Sequence, residues 1–315
     1  MDAAVVKDKA RELGADLVGI ARRESIVDIP PFNGDAAAVD RLLRGANSVV
    51  VVARRLLWGA ARQRKSNDRS SHYAGELAIS KLEEIALELV MFLEDEGFPG
   101  LSVPSGYTRS HQIDMADEGP ISLPHAAVEA GLGTLGLNLM LLTPEYGPRV
   151  VLGALLTTAV LEPDNRIDDA LCQGEACGRC LLSCPGDAIG DWLIDLEACR
   201  PHSSPYGYQF LQKYATNLID VDSPEKRWDI LRGTDTLMMW QSMLHGVGIY
   251  TGCTRCYDVC PAGEDYQRHL QEVQNEIPES TLSKKHQLSE MRQTASQGTR
   301  PTDFTHNLRW IGKLS

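Results

Sequence analysis

Residues 172–189 read CQGEACGRCLLSCPGDAI, and residues 253–261 read CTRCYDVCP. Each stretch contains a Cys-Pro pair, and in each stretch a CxxC pair precedes the CxxxC step that leads to it. All eight cysteines of the chain lie between Cys172 and Cys260, with Cys199 between the two stretches. Cysteines clustered in this way indicate a metal centre rather than scattered structural thiols or disulfides.

The two stretches have the spacing of a ferredoxin that holds two [4Fe–4S] clusters, in which the last cysteine of each run binds the other cluster. The first run departs from the usual form because four residues separate Cys172 from Cys177. Structural zinc is the alternative, since CxxC pairs also bind zinc, but the doubled CxxxCP pattern favours iron–sulfur clusters. The predicted ligands are Cys172, Cys177, Cys180 and Cys260 for one cluster, and Cys184, Cys199, Cys253 and Cys256 for the other.

Composition limits the function classes. The chain has 315 residues, 43% of them hydrophobic, and a formal net charge of -12. This acidic balance argues against a broad phosphate-binding face, so nucleic acid is not expected as a partner. No apolar run approaches the length of a membrane span, and the sequence MDAAVVKDKARELG is charged from its second residue. We therefore expect a cytoplasmic protein with no membrane partner.

Helices and strands alternate up to about Pro163, which is typical of α/β architecture. Continuous apolar runs predict buried strands at 18–21, 49–53 and 149–161, and helical spacing of leucines predicts a helix over 73–96. The expected domains are an α/β domain at 1–165, a ferredoxin-like domain at 166–265 with a long insertion at 200–252, and an irregular C-terminal wrap at 266–315.

The segment GLGTLG, residues 131–136, matches the GxGxxG spacing of dinucleotide-binding proteins. That motif requires a strand before its first glycine. Here Pro124 and three alanines predict a helix that Gly131 ends in the left-handed conformation. A helix stop followed by a tight turn explains Gly131 and Gly133 without a dinucleotide.

The sequence resembles the epoxyqueuosine reductase and reductive dehalogenase superfamily. The resemblance rests on ISLPHAAVEAGLGTLGLNLMLLTPEYGPRV, residues 121–150, followed by the two CxxxCP runs, and it extends from the first helix through Pro261. It implies an α/β domain with a nitroreductase-like fold that holds base-off cobalamin, and two [4Fe–4S] clusters that supply electrons. It also implies that the glycine segment lies against the corrin. The cofactor-binding residues expected on this basis are Gly131, Gly133, Gly136, Asn138 and Arg149.

The resemblance also suggests the proton donor, with three candidates. Asp117 in DEGP falls on the catalytic acid of epoxyqueuosine reductases, although an aspartate there could instead cap a helix. Tyr73 in SSHYAGELA matches the acid of dehalogenases, although it could simply pack at a helix start. Tyr107 is a third candidate. For Arg149, a salt bridge that fixes a turn is the alternative to cofactor binding, and His111 and His125 are expected to form local hydrogen bonds.

Three functions are consistent with these features. The first is a cobalamin-dependent iron–sulfur reductase of a small organic molecule, of the reductive dehalogenase type, which takes electrons from a low-potential donor such as ferredoxin or flavodoxin. The absence of a twin-arginine leader fits a cytosolic, non-respiratory member, and the insertion resembles that of the dehalogenases and is rich in aromatic residues and methionine. The second is epoxyqueuosine reduction on tRNA, which is not expected because the chain is acidic and lacks the C-terminal extension of those enzymes. The third is an electron-transfer protein without cobalamin.

Overall fold

A computed structural model describes residues 1–61, 69–104, 121–249, 252–298 and 308–312. The N-terminal half contains six strands and six helices within these ranges, and the remainder is helical. The strands are β1 (Leu17–Arg22), β2 (Ser48–Arg55), β3 (Gly100–Val103), β4 (Thr134–Leu135), β5 (Leu141–Leu142) and β6 (Val150–Thr157). The helices are α1 (Ala3–Leu13), α2 (Arg23–Val27), α3 (Ala36–Leu42), α4 (Trp58–Ala61), α5 (Arg69–Asp95), α6 (Leu123–Glu129), α7 (Arg179–Ser183), α8 (Leu196–Ser203), α9 (Tyr208–Asp220), α10 (Pro224–Leu231), α11 (Thr234–His245), α12 (Arg255–Asp258), α13 (Glu264–Asn275) and α14 (Leu282–Ser296).

The main sheet has four strands in the order β1-β2-β6-β3, and every pairing in it is antiparallel. The predicted strands at 18–21 and 49–53 lie within β1 and β2, and β6 lies within the predicted range 149–161, so the three strands are confirmed, the third of them shorter than predicted. Mixed helix and strand is also confirmed as the fold class. The alternation of helices and strands along the sequence does not determine whether the strands pair in parallel or antiparallel, and the structure is needed to show it.

The sheet is buried on both faces, which explains its continuous apolar strands. Side chains along a strand point alternately to the two faces. Val50 and Val52 belong to a core formed with α1 and α5, whereas Val49 and Val51 belong to a second core formed with α6 and the cysteine-bearing segment. The cysteine-bearing segment therefore packs, with α6, on one side of the sheet.

The glycine segment is a helix end followed by a small hairpin. Gly131 follows α6 with a φ of +74°, and the space of its missing Cβ is filled by the carbonyl of Asn165. Gly133 leads into the β4–β5 hairpin, where the carbonyl of Leu142 lies closer to the Cβ position than van der Waals contact allows. Both glycines are thus required by packing against the protein itself, in agreement with the predicted helix stop.

The prediction of an irregular wrap at 266–315 is wrong. Most of α13 and all of α14 lie in this range, and Thr281 caps α14 by accepting a hydrogen bond from the backbone N–H of Lys284 at 3.3 Å. The buried residues of α14 are Lys284, Leu288 and Met291. This stripe falls at helical spacing but includes a lysine, so the composition of the segment conceals it.

Lys284 explains why a charged residue lies inside that stripe. Its ammonium group donates to the carbonyl of Cys184 at 2.7 Å and to that of Glu279 at 2.9 Å, and it pairs with Asp187 at 3.0 Å. A buried ammonium is tolerated when its donors are satisfied in this way. The lysine therefore attaches α14 to the end of the first cysteine run.

No helix in the described ranges combines the length and apolar content of a membrane span.

We predict that Gly133→Ala lowers the free energy of unfolding by about 1–3 kcal/mol, because its Cβ would overlap the Leu142 carbonyl. Gly59→Ala is the matched control, since the structure leaves the space at that Cβ position open. Denaturant unfolding of the two variants measures the difference. Equal stability of the two variants would contradict the packing described here.

Candidate iron–sulfur and cofactor site

Four of the predicted ligands surround one cavity of about 220 Å³, here called the cysteine cavity. The backbone N–H groups of Leu137 and Gly174 donate to the Sγ of Cys172 at 3.4 and 3.3 Å. Part of the wall of the cysteine cavity is formed by Gly136, Leu137 and Asn138. The cysteines of the cavity are Cys172, Cys177, Cys180 and Cys260. The structure thus brings the last cysteine of the second run to the first three of the first run.

The other four cysteines form a second group. Their thiols are close enough to interact electrostatically. Cys199 interacts with Cys184, and Cys253 interacts with both Cys184 and Cys199. Cys256 interacts with Cys199 and Cys253. The backbone N–H of Cys253 donates to the carbonyl of His202 in α8 at 2.9 Å, which joins the second run to the helix that bears Cys199. The structure therefore groups all eight cysteines as predicted, and their role as ligands stays a prediction.

The cysteines are free thiols in a poorly solvated environment. Burial raises the pKa of Cys253 and of Cys260 to about 11, and it raises the pKa of Cys180 and Cys256 well above the usual thiol value. A bound metal cluster would offset this cost, because positively charged iron stabilises the thiolate form. Two groups of four free thiols, Cys184 buried and the other seven partly exposed, therefore suit two [4Fe–4S] clusters. Within the described residues, no three His, Cys, Asp or Glu side chains are arranged to hold one metal ion.

Arg149 connects the second cysteine run to the sheet. It is only 1% exposed, and its Nη1 donates to the carbonyls of Ala262 at 3.0 Å and Tyr146 at 3.3 Å. Its Nη2 donates to the carbonyls of Cys260 and Asp258. Arg149 thus fixes the backbone on both sides of Cys260 through its hydrogen bonds to these carbonyls. Cofactor binding by Arg149 stays a prediction.

A second cavity, of about 190 Å³, lies between the sheet and the second cysteine group and is called the sheet cavity. Leu56 and Leu57 after β2, Val150 and Val151 of β6, and the start of α5 form one side. Cys253, Thr254 and Tyr257 form the other side. The second cysteine group therefore borders a space that is partly apolar and partly polar.

Three polar residues of the sheet cavity were not predicted from the sequence. His72 of α5 is 4% exposed and lines the cavity. Tyr257 donates from its hydroxyl to the sulfur of Met140 at 2.7 Å, and burial raises its pKa. Burial also raises the pKa of Asp258 to about 7, and Thr254 donates to its carboxylate at 3.0 Å. The sequence CYDVC places two ionisable residues, Tyr257 and Asp258, between two predicted cysteine ligands. This pair could have indicated a polar site, but the cysteine spacing alone was used to interpret the stretch.

The remaining predicted residues are placed as follows. Tyr73 is 47% exposed, and its ring meets His245 of α11 edge-to-face with ring centroids 6.4 Å apart. Its role as proton donor stays a prediction. Asp117 and Tyr107 lie outside the described residues, as does His111. His125 forms the expected local hydrogen bond, with Ser122 at 2.6 Å.

The insertion folds into α9, α10 and α11, and several of its large apolar side chains are exposed. Trp240 is 56% exposed and Met243 is 55% exposed. Near the two ends of the insertion, Ser203 and Gly252 contribute to the lining of the sheet cavity. Closure of the insertion over a small ligand thus stays a prediction.

Comparison with curated proteins identifies relatives in one functional group. The chain is 30% identical over 166 residues to an epoxyqueuosine reductase of Listeria monocytogenes, an alignment that covers 52% of this chain and 36% of the relative. It is 29% identical over 285 residues to the epoxyqueuosine reductase of Gloeobacter violaceus, covering 82% of this chain and 75% of the relative. The chain spans about a third of the length of the first relative and three quarters of the second. No family model matches the chain.

Solved structures show the same fold at lower identity. A crystal structure of an epoxyqueuosine reductase with an epoxyqueuosine-modified tRNA stem loop matches with a TM-score of 0.50 and 20% identity, covering 85% of this chain and 65% of that one. A reductive dehalogenase whose structure suggests a B12-dependent mechanism matches with a TM-score of 0.53 and 17% identity, covering 98% of this chain and 37% of that one.

The expectation that nucleic acid is no partner is wrong. It is overturned by relatives named epoxyqueuosine reductase and by the solved structure of such an enzyme with a tRNA stem loop. The expectation rested on net charge, which averages the whole chain, whereas phosphate contacts depend on local charge. Arg54 and Arg55, for example, lie at the end of β2, immediately before two residues of the sheet cavity.

We predict that Arg149→Met lowers the free energy of unfolding by about 3 kcal/mol, because it leaves buried carbonyls without their donors. Arg55→Met is the matched control, since its side chain is 46% exposed and such surface changes cost about 0.5 kcal/mol or less. Denaturant unfolding of both variants gives the difference. A similar loss in both would show that Arg149 does not hold the second cysteine run.

Proposed function

Because the chain belongs to the superfamily of epoxyqueuosine reductases and reductive dehalogenases, we propose that it is an oxidoreductase that reduces epoxyqueuosine in tRNA. The proposed cofactors are two [4Fe–4S] clusters and cobalamin, the cofactor types for which this superfamily is known. A tRNA substrate places the reaction in the cytoplasm. An external low-potential protein such as ferredoxin or flavodoxin supplies the electrons.

One observation carries the redox part of the proposal, namely that the cysteine groups and the sheet cavity are neighbours. Cys256 of the second group interacts with Cys180 of the first, and Cys253 lines the sheet cavity. Clusters held by these two groups would lie next to each other and next to the sheet cavity, where they would supply electrons. The order of centres supports a reductase whose reaction takes place in or beside that cavity.

The sheet cavity is too small to enclose a whole corrin ring. Its volume of about 190 Å³ is below the roughly 300–1,000 Å³ of ordinary small-molecule sites, so cobalamin requires a wider opening than these residues enclose. When bound, cobalamin would supply a strongly reducing cobalt centre. We assign no step to it and propose only that His72, Tyr257 and the apolar residues of the cavity face it.

Conversion of epoxyqueuosine to queuosine takes two electrons and two protons and releases the epoxide oxygen as water. The proton donor must reach that oxygen and be protonated at neutral pH, which a carboxylic acid achieves when burial raises its pKa. Asp117 is the proposed donor, on the resemblance of DEGP to the catalytic segment of epoxyqueuosine reductases. Tyr73 is the less favoured candidate because its side chain packs against His245.

Reduction of a small halogenated molecule has less support. The likeness to a reductive dehalogenase, at 17% identity, concerns the fold, whereas the curated relatives near 30% identity are named epoxyqueuosine reductases. Measurement of the queuosine content of tRNA distinguishes between the two substrates.

We predict that the protein restores queuosine to tRNA in a bacterial strain that lacks its own epoxyqueuosine reductase. Asp117→Asn should abolish the restoration, because the carboxamide cannot donate the proton. Asp95→Asn, an exposed carboxylate at the end of α5, is the matched control and should restore queuosine as the wild type does. Mass spectrometry of digested tRNA measures both nucleosides.

Epoxyqueuosine that persists with soluble, iron-loaded wild-type protein would contradict the proposed substrate. Reduction of a halogenated aromatic by the same preparation would then favour the dehalogenase hypothesis. Restoration that survives Asp117→Asn but fails with Tyr73→Phe would keep the substrate and transfer the acid role to Tyr73.

A further inference from the structure

The segment 308–312 is attached to the rest of the fold through one buried carboxylate, that of Glu129 at the end of α6. The Glu129 side chain is 1% exposed. Arg309 contacts it through Nε at 2.8 Å and Nη2 at 3.0 Å, and Trp310 donates from its indole N–H at 3.1 Å. Two consecutive residues of the segment therefore bind the same carboxylate.

The segment is also part of the hydrophobic core. Trp310 is 4% exposed and Ile311 is fully buried. The indole ring meets the His125 ring edge-to-face, with ring centroids 4.6 Å apart. Because α6 supplies both His125 and Glu129, the segment is fixed in position and orientation against this helix.

Gly312 extends this contact to the polypeptide that enters the first cysteine run. A Cβ at Gly312 would lie 3.0 Å from the Cα of Ala170 and 3.2 Å from the methyl group of Thr134. Thr134 in turn accepts a hydrogen bond at its Oγ1 from the backbone N–H of Leu171, at 3.1 Å. The segment therefore packs where the glycine hairpin meets the residues before Cys172.

This hairpin also supplies a hydrogen bond to a predicted cluster ligand. The backbone N–H of Leu137, three residues after Thr134, donates to the Sγ of Cys172 at 3.4 Å. An N–H donor to a ligating sulfur stabilises the more negative, reduced cluster and so raises its reduction potential. The geometry of this donor depends on how the hairpin and residues 170–172 are held together.

We propose that the segment 308–312, held by Glu129, is a positioning element for Cys172. It keeps the hairpin and the residues before Cys172 in register, so that the Leu137 N–H is directed at the sulfur. This inference rests on the clusters of the proposed function, and it concerns the first cluster alone. Glu129 and Trp310 act through the backbone and are not catalytic residues.

Two variants and one matched control test it. Glu129→Gln keeps the shape of the side chain but replaces one acceptor oxygen by a donor that faces Arg309 or Trp310. Trp310→Phe keeps an aromatic ring and removes only the indole donor, so it serves if the first variant folds poorly. Asp28→Asn is the control, because Asp28 is the other, more exposed carboxylate partner of Arg309 at 2.8 Å.

The reduction potentials of the two clusters are measured by redox titration followed by electron paramagnetic resonance. In Glu129→Gln and Trp310→Phe, the potential of one cluster should become more negative and that of the other should stay unchanged. Iron release to a chelator from the affected cluster should accelerate about tenfold, which corresponds to about 1.4 kcal/mol. Asp28→Asn should match the wild type in both measurements.

In the metal-free protein, the rate of alkylation of Cys172, located by mass spectrometry, should differ from the wild-type rate in the two variants and equal it in the control. Unchanged potentials together with unchanged alkylation would overturn the positioning role, as would an equal shift of both clusters. A wild-type protein that fails to take up about eight irons would instead contradict the proposed clusters. The alkylation rates would then decide the positioning role by themselves.

Discussion

The exchange of the last cysteine between two runs is the constraint on which the rest of this structure depends. Cys260 joins the three cysteines at the start of the first run, and Cys184 joins the cysteines that precede Cys260 in the second. Two segments nearly seventy residues apart must therefore lie side by side. Arg149 holds the second of them against β6, and Lys284 holds the end of the first against α14.

Both of these attachments, by Arg149 and by Lys284, use a buried cation that donates hydrogen bonds to backbone carbonyls. Cluster ligands are held on short loops, whose carbonyls find few partners within regular secondary structure. A buried arginine or lysine supplies several donors at once, and its own burial is compensated by them. The sheet and α14 thus stabilise the geometry of the cysteine groups.

Much of this could be predicted from the sequence because spacing determines it. The cysteine pattern predicted both groups, and the apolar runs around Val50 and Ala154 predicted β2 and β6. Gly131 was assigned to a helix end from its neighbours alone, and its φ of +74° agrees. Local rules succeed where the residues that interact are close in sequence or follow a repeated pattern.

Prediction from the sequence failed where long-range contacts determine the structure, and where it relied on an average over the whole chain such as net charge. The polar segment after residue 266 forms helices because Lys284 and Leu288 reach partners about a hundred residues away. The cavity role of His72 depends on α5 meeting the second cysteine run. Net charge gave a wrong expectation about nucleic acid, since it contains no information on where the charges lie.

The central claim is that the two cysteine runs exchange their last ligand. Electron paramagnetic resonance of the reduced, iron-loaded protein tests it most directly, with single Cys→Ser variants at 180, 260, 184 and 253. We expect Cys180→Ser and Cys260→Ser to alter one cluster signal, and Cys184→Ser and Cys253→Ser to alter the other. If Cys260→Ser instead altered the same signal as Cys253→Ser, each run would hold its own cluster and the account would be contradicted.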